Sequence, residues 1–361
     1  MNEVVIVSYA RTPMGAFNGG LSTCSSIDLG AIAIKGAIDK IQLDVQVVEE
    51  VFMGCVIQAN LGQAPARQAA LKAGLPQHVN CTAINKVCAS SMKALAMGVA
   101  AIQTSDIDCA VVGGMECMSQ SPYYMPNMRK GLPYGNATMI DGCAKDGLLD
   151  AYSGESMGVA AELCALNHSI TRQQQDTYAI QSFTRAANAW KNKHFDGEIV
   201  PVEVVDRRGN VTVVSEDETY KTANFDKIPK LKPCFQKVDG TVTAATSSPL
   251  SDGASAIIIM SAQKAIELGL KPLARILSTA DAAQAPEHFT TSPSIAIPKA
   301  ISRAKLTLAD IDYYEINEAF AVVALANMQL LGLSSDIVNI HGGAVALGHP
   351  LGNSGSRIIC T

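Results

Sequence analysis

Hydrophobic positions in the first third of the chain alternate between short continuous runs and helical spacing. The runs VVIVS, VFMGCVI and DCAVVGG predict strands, whereas the segment from Ser26 to Ile41 and the stretch ARQAALKAG predict helices. Short apolar runs separated by helices are typical of a largely parallel sheet with helices on its faces. The pattern therefore predicts an α/β fold.

The alternation stops between residues 119 and 247 and resumes afterwards. The middle stretch holds several prolines, charged segments and one long predicted helix from Thr171 to about Lys193. After it, predicted strands ASAIIIMS, ARILS, DYYEIN and IVNIH are separated by predicted helices, in the element order of the first part. We therefore predict two similar halves, 1–118 and 248–361, with an inserted loop domain at 119–247.

Comparison of the two halves predicts that the second one is truncated. In the first half, the helix that follows TAIN is succeeded by the strand DCAVVGG, whereas the corresponding helix near Asn353 runs to Thr361 with no strand after it. A sheet that lacks a strand leaves backbone groups unpaired. We therefore expect the C-terminal half to be incomplete.

Composition and charge exclude several classes of function. The net charge of -5 argues against a nucleic-acid or anionic-membrane surface, and no apolar stretch has membrane-spanning length. The ten cysteines form no Cys-x-x-Cys pair, so we expect no structural metal. Scattered thiols without a secretory leader predict a reducing compartment, and the cytoplasm is the expected location.

The stretch NKVCASSMKALAMG, residues 85–98, makes Cys88 a candidate nucleophile. Cys88 lies where the apolar run TAIN meets a predicted helix, and a helix start favours the reactive thiolate through its unpaired N–H groups. The alternative is a buried cysteine that acts as a small hydrophobic side chain. Position alone leaves both interpretations open.

Three further motifs carry side chains suited to chemistry. His349 lies in a constrained Gly-His-Pro turn, and Asn317 begins NEAF where a predicted strand meets a helix. The stretch GTVTAATSSPLSDGAS offers small and hydroxyl side chains to an extended ligand. A structural turn, a helix cap and an ordinary loop are the respective alternatives. Together with Cys88, these motifs suggest acyl transfer through a cysteine.

The motifs VCASSMKA, TVTAATSSPLSDGA, NEAF and GGAVALGHPLGNSG occur here in an order that resembles the thiolase family. The resemblance runs from VSYARTPMGAFNG to the last residue and is strongest with the acetyl-CoA C-acetyltransferase group. It implies a five-layer αβαβα fold of two similar halves with a loop domain, assembled as a homotetramer. It also implies reversible condensation of two acetyl-CoA molecules to acetoacetyl-CoA and CoA.

The same resemblance implies roles for individual residues. Cys88 would be acetylated, His349 would activate it, and Asn317 would hold a water that helps to stabilise a thioester oxygen. Ser248 would contact the pantetheine arm of CoA, and other residues would line the CoA tunnel: Leu148, Met157, Phe235, Phe289, Ala319 and Phe320. No cofactor is implied, and because Phe183 stands where potassium-activated relatives carry tyrosine, potassium activation is not predicted.

One departure from the family pattern predicts impaired activity. The family uses a second cysteine in a Cys-x-Gly-Gly-Gly motif, which these residues lack, and Cys360 has no glycine run after it. Loss of an acid/base group commonly costs about 10²–10⁴-fold in rate. We therefore expect little turnover from these residues. The alternatives to an acetyl-CoA C-acetyltransferase are a broader 3-ketoacyl-CoA thiolase and an inactive CoA-binding protein.

Overall fold

The computed structural model describes residues 2–361, and its central feature is a seven-stranded sheet. Six of its strands lie in the order β11-β1-β10-β5-β3-β4, and β2 pairs with β10. Two further sheets, β6-β7 and β8-β9, have two strands each. The strands are β1 Val4–Arg11, β2 Gly15–Ala16, β3 Glu50–Gly54, β4 Asn80–Ile84, β5 Cys109–Cys117, β6 Tyr123–Tyr124, β7 Ile140–Asp141, β8 Val202–Val205, β9 Val211–Val214, β10 Ser251–Ser261 and β11 Ala274–Ile276.

The central sheet is mixed rather than largely parallel. Strands β3, β4 and β5 are parallel, as the βα alternation predicts, but β10 is antiparallel to both of its long neighbours, β1 and β5. Every residue of β10 is buried, because this strand lies at the centre of the sheet with helices on both faces. The strand predicted from ASAIIIMS therefore completes the sheet of the first half.

Ten α-helices surround the sheet in residues 2–361. They are α1 Ser26–Asp39, α2 Pro65–Lys72, α3 Ser90–Gln103, α4 Met157–Asn167, α5 Arg172–Lys191, α6 Ala262–Glu267, α7 Pro293–Arg303, α8 Ala321–Leu331, α9 Ala344–Leu347 and α10 Ser354–Cys360. Helices α1 and α2 contribute to the apolar core on one face of the sheet, and α3 contributes to the core on the other. None of these helices has the length and apolar character needed to cross a membrane.

Two predicted strands of the second half do not form regular strands. DYYEIN and IVNIH meet through a single parallel bridge between Tyr314 and Val338. Beside this bridge, the side chain of Asn339 accepts from the N–H of Ile316 at 2.8 Å and donates to its carbonyl at 2.8 Å. The backbone of Asn339 is left-handed, with φ of 49°. The side chain of Asn339 thus makes hydrogen bonds that a neighbouring strand would otherwise make with the backbone of Ile316. The pattern of hydrophobic positions cannot predict such a substitution.

Helix α10 brings the end of the chain against the first half. Cys360 lies in the apolar cluster formed by α3 and the central sheet, together with Leu95, Val99 and Ile102. The backbone N–H of Ser356 donates to Ser91 Oγ at 2.8 Å, which fixes α10 to the first turn of α3. Helix α10 thus links the segment that contains His349 to the one that contains Cys88.

Candidate active site

Cys88 lies in a tight turn between β4 and α3. Val87 adopts the left-handed conformation, with φ of 48°, which is rare for a β-branched residue. The buried hydroxyl of Ser90 donates to the carbonyl of Val87 at 2.6 Å and accepts from the N–H of Lys86 at 2.8 Å. This closed turn holds the thiol at its tip, where the side chain remains partly exposed.

His349 is fixed by the glycine before it and by β10. Gly348 has φ of 120°, and a Cβ on it would meet Ser251 Oγ at 2.5 Å, so the turn requires glycine. The backbone N–H of His349 donates to Ser251 Oγ at 3.2 Å and to the carbonyl of Pro249 at 3.3 Å. With 5% of its surface exposed, the imidazole is nearly enclosed.

The structure brings Cys88, Asn317 and His349 into contact. His349 Nε2 lies 3.2 Å from Cys88 Sγ and 3.4 Å from Asn317 Nδ2. The second distance is long for a hydrogen bond, and the buried Oδ1 of Asn317 has no partner among the described residues. The imidazole is therefore placed to take a proton from the thiol, with an amide beside the same reaction centre.

The electrostatics of this pair differ from the expectation of an acidic thiol. Burial and the charge of Glu116 raise the pKa of the Cys88 thiol to about 12, while burial and the charge of Arg357 lower the pKa of His349 to about 4. A backbone N–H lowers the pKa of the thiol, in the direction that the helix start predicts, but loss of solvation outweighs this effect. Both shifts favour a neutral thiol beside a neutral imidazole at rest.

A fully buried carboxylate anchors the segment that contains Asn317. Glu318 accepts from Tyr178 Oη and Ser182 Oγ at 2.8 Å each, and from Asn339 Nδ2 and the N–H of Val345 at 3.0 Å each. The last of these bonds lies in α9, directly before the Gly-His-Pro turn. Glu318 thus couples the positions of the Asn317 and His349 segments, rather than merely capping a helix.

A second buried carboxylate near the site, Glu116, is not among the residues predicted from the sequence. Its oxygens accept from the N–H groups of Val56 and Gly352 at 2.9 Å each, and from that of Ile57 at 3.1 Å. Burial raises the pKa of Glu116 to about 7, although these donors lower it. The charge in the otherwise apolar strand CAVVGGMEC was the available signal, since a buried acid needs partners.

The predicted tunnel residues other than Ser248 fall into two apolar clusters. Leu148 and Cys88 pack against one small apolar cluster that contains Val56, Met118 and Leu351. Ser248 donates through its hydroxyl and its N–H to the carbonyl of Ala319, at 2.8 and 3.0 Å. The remaining predicted residues share a second cluster, which contains Met157, Phe235, Phe289, Ala319 and Phe320.

Models of two protein domains match nearly the whole chain. The thiolase N-terminal domain matches residues 4–263, and the thiolase C-terminal domain matches residues 270–361. The chain belongs to the thiolase family. The predicted truncation of the second half is not borne out, because both domains of this thiolase are matched.

Several curated relatives resemble this thiolase along nearly its whole length. Acetyl-CoA acetyltransferase of Schizosaccharomyces pombe is 56% identical over 360 residues, which make up 99% of this chain and 91% of that protein. Acetyl-CoA acetyltransferase 1 of Arabidopsis thaliana is 53% identical over 360 residues, or 99% of this chain and 87% of that protein. A third relative, from Gibberella zeae, is named acetyl-CoA acetyltransferase ERG10, cytosolic, and is 51% identical over 359 residues, or 99% of this chain and 90% of that protein.

A solved structure confirms the predicted thiolase fold. The crystal structure of the Acat5 thiolase from Ascaris suum in complex with coenzyme A has a TM-score of 0.95 to this structure. The two chains are 42% identical, and the match covers 99% of this chain and 92% of that one. This similarity therefore extends over nearly the whole chain.

Proposed function

We propose that this thiolase is an acetyl-CoA acetyltransferase that forms an acetyl-cysteine at Cys88. The contact of 3.2 Å between Cys88 Sγ and His349 Nε2 carries the proposal. As Sγ bonds to the thioester carbon of acetyl-CoA, its proton moves to Nε2. The bond from that carbon to the CoA sulfur then breaks, and Nε2 returns the proton to CoA. The starting pair is neutral, so the proton transfer accompanies the attack.

Asn317 and the apolar clusters supply the remaining parts of the site. The amide of Asn317 holds a water beside His349, and this water helps to stabilise the carbonyl oxygen of the second acetyl-CoA. The CoA arm contacts Ser248 and runs along the cluster of Met157, Phe235, Phe289, Ala319 and Phe320. CoA in the related Ascaris suum thiolase supports CoA thioesters as the substrates.

The reaction is reversible and converts two acetyl-CoA molecules to acetoacetyl-CoA and CoA. The comparisons lend no support to the expected loss of activity, to a broader 3-ketoacyl-CoA thiolase or to an inactive CoA-binding protein. The cytosolic relative of Gibberella zeae supports a cytoplasmic location. We further propose that the protein is a homotetramer. It needs no bound cofactor and is not activated by potassium.

Mass spectrometry after incubation with acetyl-CoA tests the first step. We expect one acetyl group on the peptide that contains Cys88, its absence in Cys88→Ser, and its retention in a control variant of the exposed residue Cys234, Cys234→Ser. His349→Ala should slow acetylation by about 10²-fold or more, because the thiol loses its base. Acetylation that persists in Cys88→Ser, or acetyl-CoA that yields no acetoacetyl-CoA with the unmodified protein, would overturn the proposal.

A further inference from the structure

The imidazole of His349 has a second buried partner, Ser354, on the side away from Cys88. His349 Nδ1 lies 2.5 Å from Ser354 Oγ, and Ser354 is only 1% exposed. Ser354 is the first residue of α10, and its hydroxyl donates to the carbonyl of Pro350 at 3.2 Å. A serine hydroxyl has a single proton to donate. Once that proton points to Pro350, Ser354 Oγ can only accept from Nδ1.

We propose that Ser354 is a positioning residue that sets the tautomer of His349, with the proton on Nδ1 and the lone pair on Nε2 directed at the thiol. The inference rests on the proposed function, because this tautomer matters only if Nε2 receives the proton of Cys88. The resulting chain runs from Nδ1–H to Ser354 Oγ, and from Ser354 O–H to the carbonyl of Pro350.

The groups on the other side of the ring favour the same tautomer. The Cys88 thiol lies 3.2 Å from Nε2, and Asn317 presents Nδ2, an N–H₂ group, at 3.4 Å. Both are donors while the thiol is protonated. The opposite tautomer would place a third donor between them, with only the weakly accepting sulfur of Cys88 to receive it, and it would leave no base to take the proton from Cys88.

The fold holds Ser354 in this position from two directions. Its N–H donates to the carbonyl of Pro350 at 3.2 Å, which closes the turn between His349 and α10. Behind it, a Cβ on Gly355 would meet the backbone nitrogen of Met92 at 2.5 Å, so α10 lies directly against α3. The backbone of Ser354 is therefore held directly beside the imidazole ring.

Solid-state ¹⁵N NMR of the full chain labelled at histidine tests the tautomer without depending on activity. We expect His349, assigned by the signals lost in His349→Asn, to show a protonated Nδ1 and an unprotonated Nε2 in the unmodified protein. Ser354→Ala should shift the population toward protonated Nε2 and lower the rate of Cys88 acetylation by about 10- to 100-fold. Ser354→Thr, which keeps the hydroxyl, should restore both.

Ser356→Ala is the matched control, since it removes a buried hydroxyl from the same helix that does not contact His349. This variant should keep the tautomer and the acetylation rate of the unmodified protein. Protonated Nε2 in the unmodified protein, or an unchanged tautomer and rate in Ser354→Ala, would overturn the inference. If Cys88 is not acetylated at all, the proposed function fails, whereas the NMR result still decides the tautomer.

Discussion

We predict that Cys88 and His349 form a neutral pair at rest, and ultraviolet spectroscopy can test this state. The pKa of the thiol is raised to about 12 and that of the imidazole is lowered to about 4. The thiolate therefore appears only as the pH rises toward the first value, and the imidazolium only as it falls toward the second. We predict no thiolate absorption from Cys88 between about pH 5 and pH 9 in the ultraviolet difference spectrum between the unmodified protein and Cys88→Ser.

The same spectrum distinguishes the neutral pair from an ion pair. A thiolate–imidazolium pair would show the thiolate absorption band at neutral pH. The band would disappear on acidification, because the sulfur of Cys88 becomes protonated. Such a band would contradict the prediction. The exposed thiol of Cys234, titrated in the same way with Cys234→Ser, serves as the reference signal.

Val87 stores backbone strain directly beside the nucleophile. Its φ of 48° is unfavourable for a β-branched side chain, whereas asparagine tolerates this conformation. The valine is 45% exposed, so its replacement removes little packing. We predict that Val87→Asn raises the free energy of unfolding by about 1 kcal/mol, as measured by urea denaturation.

The control for Val87→Asn is the same substitution in an ordinary strand. Val213 is 55% exposed in β9, where asparagine is less favourable than valine. Val213→Asn should therefore leave the stability unchanged or lower it. A loss of stability in Val87→Asn equal to that in Val213→Asn would contradict the strain at Val87.

At the scale of elements, Glu116 connects the end of β5 to two loops that surround the site. It accepts N–H groups from the loop after β3 and from Gly352, close to His349. In Glu116→Gln one carboxylate oxygen becomes an N–H₂ group, which faces an N–H donor instead of accepting from it. We predict a loss of about 1–3 kcal/mol in the free energy of unfolding and slower acetylation of Cys88.

The matched substitution for Glu116 is Glu267→Gln on α6, where the side chain is 51% exposed. It should change the free energy of unfolding by less than about 0.5 kcal/mol and leave acetylation unaffected. If Glu116→Gln behaves like Glu267→Gln in both measurements, the carboxylate does not hold the two loops together.

The sequence predicts where many strands and helices lie, but it does not predict which elements they pair or pack with. The run ASAIIIMS predicts a strand, and β10 is one, but a strand buried on both faces has no pattern that identifies its neighbours. In the site, Cys88, Asn317 and His349 stand in motifs that the resemblance points to. Ser354 lies within the same glycine-rich motif, yet its contact with His349 depends on the turn into α10. Spacing along the chain alone cannot show that turn.

At the scale of the whole molecule, a buried ion network joins the first strand to residues far along the chain. Arg11 in β1 contacts Glu198 Oε1 at 2.5 Å and Asp217 Oδ1 at 2.7 Å, and all three side chains are buried. Asp217 also accepts from Trp190 Nε1 at 3.1 Å and from the N–H of Met14 at 2.6 Å. The network thus fixes residues 190–217 to the central sheet.

Removal of Arg11 should therefore weaken the whole molecule rather than one loop. Arg11→Met leaves two carboxylates buried without their cation, so we predict a loss of about 3–5 kcal/mol in the free energy of unfolding. Arg11→Lys should lose part of this amount, because an ammonium group cannot form the paired contacts of a guanidinium. Urea denaturation, followed by far-ultraviolet circular dichroism, measures both variants. Arg275→Met, which breaks an exposed pair with Glu3, should cost at most about 1 kcal/mol. Equal losses in Arg11→Met and Arg275→Met would show that the buried network does not hold residues 190–217 to the sheet.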